Sequence, residues 1–139
     1  MDRQLSMDPY EPFGAPPEGS VPVGVELAKA GSLDEAHALG NPQAADAASI
    51  ARGEKLFGTY CAVCHGSDAK GMGPVSTKFI PAPDITSDYY RGLPDGHLYY
   101  VMKRGSAVMP SYREALGERD IWDVVNYIRE MEKGASGNK

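Results

Sequence analysis

The chain has 139 residues, with 14 basic and 19 acidic side chains and a formal charge of −5. That balance disfavours nucleic acid and anionic lipid surfaces as partners and would suit docking to a basic protein face. No apolar run reaches the roughly eighteen residues that a membrane-crossing helix needs, and two cysteines cannot supply a disulfide framework once a single motif consumes both.

Residues 1–24 carry Pro9, Pro12, Pro16, Pro17 and Pro22 with Gly14, Gly19 and Gly24 among them, which cannot sustain a helix. Tyr10, Phe13, Val21 and Val23 leave two readings open: a disordered tail, or an extended arm ordered against a partner. Residues 27–41 read as a short helical or irregular connector. A helix is expected over 46–60, with Ile50, Phe57 and Tyr60 turned inward and Gly53 reserved for close packing. A second is expected over 95–104, capped by Asp95 and stopped by Gly105. The last is expected over 118–133, where Ile121, Val124, Val125 and Ile128 recur at helical spacing. The fold class is all-α, divided into an arm and connector over 1–45, a main domain over 46–133 and a tail over 134–139.

Between the first two helices lies Cys61, Ala62, Val63, Cys64, His65, the CxxCH pattern of covalent haem attachment. Two thiols one helical turn apart can add to the two vinyl groups of one porphyrin, with the neighbouring imidazole under the iron. Cys61 and Cys64 are the expected thioether anchors of one haem c, and His65 its proximal ligand. A thioredoxin-like dithiol would need strand and helix alternation that is missing here. A zinc site would need a second ligand cluster. A Cys61–Cys64 disulfide would close too short a loop to stabilise much.

The second axial ligand separates electron carriers from haems that bind small molecules. Met109, followed by Pro110 in the loop-like stretch 105–112, is the expected ligand, because the proline biases the methionine's backbone toward extended geometry. Met72, between Gly71 and Gly73, is the rival, but it follows His65 too closely to reach the opposite haem face easily. Met102 reads as core, and His37 and His97 as surface or capping residues.

Together these residues resemble the single-haem class I cytochromes c, over about residues 53–131. That family places a glycine and an aromatic before the first haem cysteine, matched by Gly53 and Phe57, and an aromatic in the last helix, matched by Tyr127. The resemblance implies that the first and last helices cross, with Gly53 near Val124 and Tyr127. It also implies that a proline carbonyl holds the ligand histidine's outer nitrogen, a part assigned to Pro74. Tyr112, Trp122 and Arg104 are placed where they could reach a haem propionate, or the two aromatics could simply pack in the core.

A narrower resemblance is to the single-haem cytochrome subunit of alternative complex III, a bacterial quinol-oxidising membrane assembly. It rests on Tyr60 with CxxCH and Gly66, on Asp95 to Tyr99, on Met109 to Tyr112, and on Trp122 with Asn126 to Arg129. The proline-rich head resembles that subunit's N-terminal arm, although it is short here and no lipid-modified cysteine precedes Met1. The resemblance implies electron transfer without catalytic residues of the chain's own. The implied partners are other subunits of the complex, with a soluble carrier or terminal oxidase as acceptor. The implied location is the periplasmic side of the inner membrane, lipid-anchored through a cysteine outside this chain, with an export signal already removed. The alternatives are a free or lipid-anchored shuttle, or a haem that takes peroxide or a gas at its iron.

Overall fold

The structure is a computed structural model that describes residues 30–78 and 81–136, the side chains of 135 and 136 excepted. The arm expected over 1–24, and Phe79 and Ile80, lie outside the described residues. The elements are α1 Leu33–His37, α2 Ala47–Leu56, a π-helical turn Phe57–Cys61, α3 Ala62–His65, α4 Asp88–Arg91, α5 Asp95–Arg104 and α6 Glu118–Ser136. The described residues form no strand.

The core is built where α2 crosses α6. Gly53 is what lets them meet: a Cβ there would run into the Asp123 carbonyl and lie 2.9 Å from the Tyr127 Cβ. The expected crossing is therefore present, with Asp123 closer than Val124. Phe57, Ile121, Val124, Val125 and Ile128 fill the space beside it, and Phe57 packs on Tyr127 with ring centroids 5.5 Å apart. Ile50 and Tyr60 are half-buried.

Polar groups lock the same crossing. Asp123, fully buried, accepts from the Ser49 hydroxyl and from Arg52 at 2.9 Å. Asn126 donates to Ser49 at 2.9 Å and accepts from Asn41 at 2.8 Å, which ties the connector to α6. Because Asp123, Ser49 and Asn126 are all partnered, the desolvation cost of burying a carboxylate at the crossing is offset by the bonds it accepts.

Helix α5 covers one side of α6. Tyr99 stacks on Trp122 with centroids 4.4 Å apart and planes 11° apart, and its hydroxyl donates to Glu118 at 2.9 Å. Lys103 donates to the same carboxylate at 2.6 Å. Arg129 joins α6 to the start of α5 through Asp95 at 2.7 Å. Asp95 is thereby engaged elsewhere, and the N-cap expected of it falls to Pro94, without a side-chain hydrogen bond.

Two further differences concern helix boundaries. The 46–60 helix changes to π geometry at Phe57, where the Ala62 amide reaches the Phe57 carbonyl. The last helix runs on to Ser136, into the expected tail. At the other end the connector is a docked element: a Cβ on Gly96 would strike the Ala36 carbonyl, so α1 lies directly on α5.

Candidate functional site

The π-helical turn delivers Cys61 to the core and leaves Cys64 and His65 half-buried on the short helix that follows. No disulfide joins the two cysteines. Burial, with a smaller contribution from Cys64, pushes the Cys61 thiol up to about 12.

His65 has its pKa lowered by burial, opposed by the smaller influence of the Pro83 backbone carbonyl. Its Nδ1 is buried without a hydrogen bond of normal geometry. A neutral imidazole is the form that ligates a metal. The carbonyl that acts on this ring belongs to Pro83 and not to Pro74, which is exposed. The cause is how the intervening loop folds. Gly71 and Gly73 donate to the carbonyls of His65 and Cys64 at 2.7 and 3.1 Å, and Ile85 donates to Ala69 at 3.0 Å, which carries Pro83 back over the motif. Nothing local distinguishes the two prolines in the sequence; the path of the loop decides between them.

The same loop accounts for Met72. Held between two glycines bonded to the motif's own carbonyls, it is 74% exposed, whereas Met109 is half-buried and packs against the core cluster that contains Cys61. The Met109 loop turns on Gly105 (φ 77°, ψ −178°), a region open essentially to glycine alone. Ser106 donates to the Met109 carbonyl at 2.8 Å and accepts from its amide at 3.1 Å. Ser111 and Tyr112 then bond the Lys103 and Met102 carbonyls at 2.6 and 2.9 Å. The Tyr112 hydroxyl crosses to the Tyr60 carbonyl, next to Cys61, at 3.2 Å. Burial raises the Tyr112 pKa, so the phenol is a donor at neutral pH.

Of the three residues expected near a propionate, Tyr112 is thus bonded to the motif's own backbone. Trp122 is buried in the α5–α6 stack, and Arg104 is exposed over the Tyr100 ring at 5.9 Å. The structure does not bring these three together. His37 and His97, expected as separate surface or capping residues, bond each other at 2.9 Å.

Two cysteines, a half-buried imidazole and a half-buried thioether fit a covalently held haem. An all-helical domain built around such a site is a class I c-type cytochrome. The chain belongs to the cytochrome c family: residues 48–128 match the family described as cytochrome c oxidase, cbb3-type, subunit III. It is 32% identical over 108 residues to cytochrome c6 of Picosynechococcus, covering 73% of this chain and 86% of that one. It is 27% identical to the cbb3-type cytochrome c oxidase subunit CcoP of Azospirillum brasilense, over 68% of this chain and 32% of that one. A nicotinate dehydrogenase polypeptide of Pseudomonas putida is 28% identical, over 63% of this chain and 8% of that protein, so the chain spans only a small part of these two relatives. The fold is shared with a chain of the reducing HAO-like protein complex of Kuenenia stuttgartiensis, at a TM-score of 0.59 and 22% identity, over 65% of this chain and 46% of that one. The chain is therefore a haem c electron-transfer domain. No helix among the described residues is long and apolar enough to cross a membrane.

Proposed function

We propose that Cys61 and Cys64 hold the haem covalently, that His65 and Met109 are its axial ligands, and that the chain passes electrons as a subunit of a membrane-bound quinol-oxidising complex. The observation that carries the ligand assignment is the contrast between the two methionines: Met109 packs against the cluster containing Cys61, while Met72 turns to solvent. The haem supplies one-electron exchange, and a methionine ligand together with apolar burial favours its reduced state. His65, kept neutral by burial, offers a lone pair, and Cys61 and Cys64 fix the group against the core.

The alternative complex III reading rests on the sequence resemblance; the CcoP match supports only the coarser reading of a subunit in a multi-protein complex, since CcoP is named as an oxidase subunit. A free shuttle is the competing reading, favoured by the coverage of cytochrome c6. Donor and acceptor are then another redox centre of the complex and a soluble carrier or terminal oxidase, on the periplasmic side of the membrane.

Two experiments test these readings. Met109→Ala in the haem-loaded chain is expected to abolish the sulfur-to-iron absorption band and lower the potential, and a retained band would overturn the ligand assignment. Size-exclusion of detergent-solubilised membranes is expected to show the chain eluting with other subunits; elution as a free small protein would establish the shuttle.

A further inference from the structure

The two walls of the candidate haem site are separate in sequence. One is the 57–74 segment with its CxxCH motif, and the other is the 105–113 loop with Met109. Most hydrogen bonds of the loop are spent within it or on the end of α5. Among the described residues, one hydrogen bond joins it to the other wall: the Tyr112 hydroxyl donating to the Tyr60 carbonyl at 3.2 Å. The rings of the same two residues meet edge to face, with centroids 6.2 Å apart and planes 71° apart.

Both ends of this link are placed to matter. Tyr60 lies in the π-helical turn and precedes Cys61, so its carbonyl belongs to the backbone that presents the motif. Tyr112 follows Met109 by three residues, and its amide is fixed to the Met102 carbonyl at 2.9 Å. With one end on α5 and the other beside Cys61, the phenol limits how far the methionine loop can swing from the histidine wall. π-Helical turns interrupt helices at functional sites often enough for this use of the carbonyl to be in character.

We propose that Tyr112 is a positioning residue: through its hydroxyl on Tyr60 it holds the Met109 loop closed, and so sets how readily a foreign ligand displaces the methionine sulfur. The proposal rests on Met109 being the axial ligand. It assigns Tyr112 a part different from binding a propionate, since its hydroxyl proton is already committed to Tyr60.

The test uses the haem-loaded full chain in its ferric form, with imidazole as the competing ligand. Tyr112→Phe removes the hydroxyl and keeps the ring. Losing one hydrogen bond should raise imidazole affinity and the rate of methionine displacement by about three- to tenfold, followed through loss of the sulfur-to-iron band. Tyr112→Leu, which also removes the edge-to-face contact, should raise them further. The global unfolding midpoint of Tyr112→Phe should move less than that of Gly53→Val, because the loop opens without the helices parting. Imidazole binding by Tyr112→Phe equal to wild type would overturn the positioning role. Met109→Ala keeps the two ideas apart: a band surviving in that variant refutes the ligand assignment, whereas a band lost there with unchanged imidazole binding in Tyr112→Phe refutes only the tether.

Discussion

The α2–α6 crossing and the Met109 loop both border the same apolar cluster, yet they are held by opposite means. At the crossing, two helical backbones touch through Gly53, and a buried chain of Asn126, Ser49 and Asp123 fixes their register. In the loop, Val108 is 66% exposed, and Met109 is kept in place by a glycine turn, a serine and one tyrosine. The crossing can shift only by breaking several contacts together, whereas among the described residues one hydrogen bond joins the loop to the CxxCH wall. Rigidity and adjustability thus sit in different segments, a division that the proposed Met109 ligation would use.

If the division is real, the largest loss of stability should come from the crossing. Gly53→Val puts atoms where the Asp123 carbonyl already lies, and the strain of overpacking should cost about 3 kcal/mol. Denaturant unfolding of the haem-loaded protein measures this, and an unchanged midpoint would mean the helices do not meet at Gly53. Asp123→Ala should follow. It leaves the buried Ser49 hydroxyl without its acceptor, at about 1–3 kcal/mol, while the half-exposed Arg52 turns to water. In both variants the ligand spectrum of the folded fraction should match wild type.

What the sequence reveals follows the same line. CxxCH is a local motif whose spacing is the chemistry, and Gly53, Phe57 and the α6 stripe announce a crossing through periodicity and family pattern. The end of α5 is readable because Gly105 stops it. The residues that sequence reasoning misses act across long separations. Pro83 reaches His65 only through the fold of a loop, Asp123 looks like a solvent-facing acid until Ser49 and Arg52 surround it, and Arg129 joins Asp95 across 34 residues. The π-helical turn leaves no trace in the sequence because it changes hydrogen-bond register without changing composition. Trp122 and Arg104 flank the Met109 loop along the chain, but α5 and α6 place one in the core and the other at the surface.

The loop should answer differently from the crossing. Gly105→Ala forces a non-glycine residue into a region that costs about 1–3 kcal/mol, and its Cβ would stand 2.8 Å from the Met109 carbonyl and 2.9 Å from the Ser111 amide. Because the loop can give way locally, the unfolding free energy should change less than in either crossing variant, while the sulfur-to-iron band weakens. Equal loss of stability with an intact band would show that the loop is as rigid as the crossing.

The smallest effect belongs to the third kind of contact, the docking of α1 on α5. His37 Nε2 and His97 Nδ1 lie 2.9 Å apart with ring centroids 5.1 Å apart, so the two nitrogens face each other as one donor and one acceptor. One added proton can be shared in that arrangement. A second puts two N–H groups face to face. Burial, then the nearby His37, lowers the pKa of His97, so the docked state binds fewer protons than the undocked one. Docking is therefore at full strength above the ordinary imidazole value of about 6.5, weakens as the pH falls below it, and stops changing once the pH is below the lowered value of His97. The neighbouring acids are engaged elsewhere or lie on α1 itself: Asp34 and Glu35 stand in its first turn, Glu35 accepting from Gly31 at 2.8 Å, and Asp95 is held by Arg129. Gly96 against Ala36 keeps most of the contact in place at any pH, which is why the effect is small. Hydrogen exchange at the Ala36 and Leu39 amides, whose acceptors are Ser32 and Ala36, should quicken between about pH 7.5 and about pH 5 once the intrinsic exchange rate is removed, with the haem spectrum unchanged. His37→Asn should flatten that dependence, and a wild-type profile in the variant would show that the imidazole pair does not govern how α1 is held.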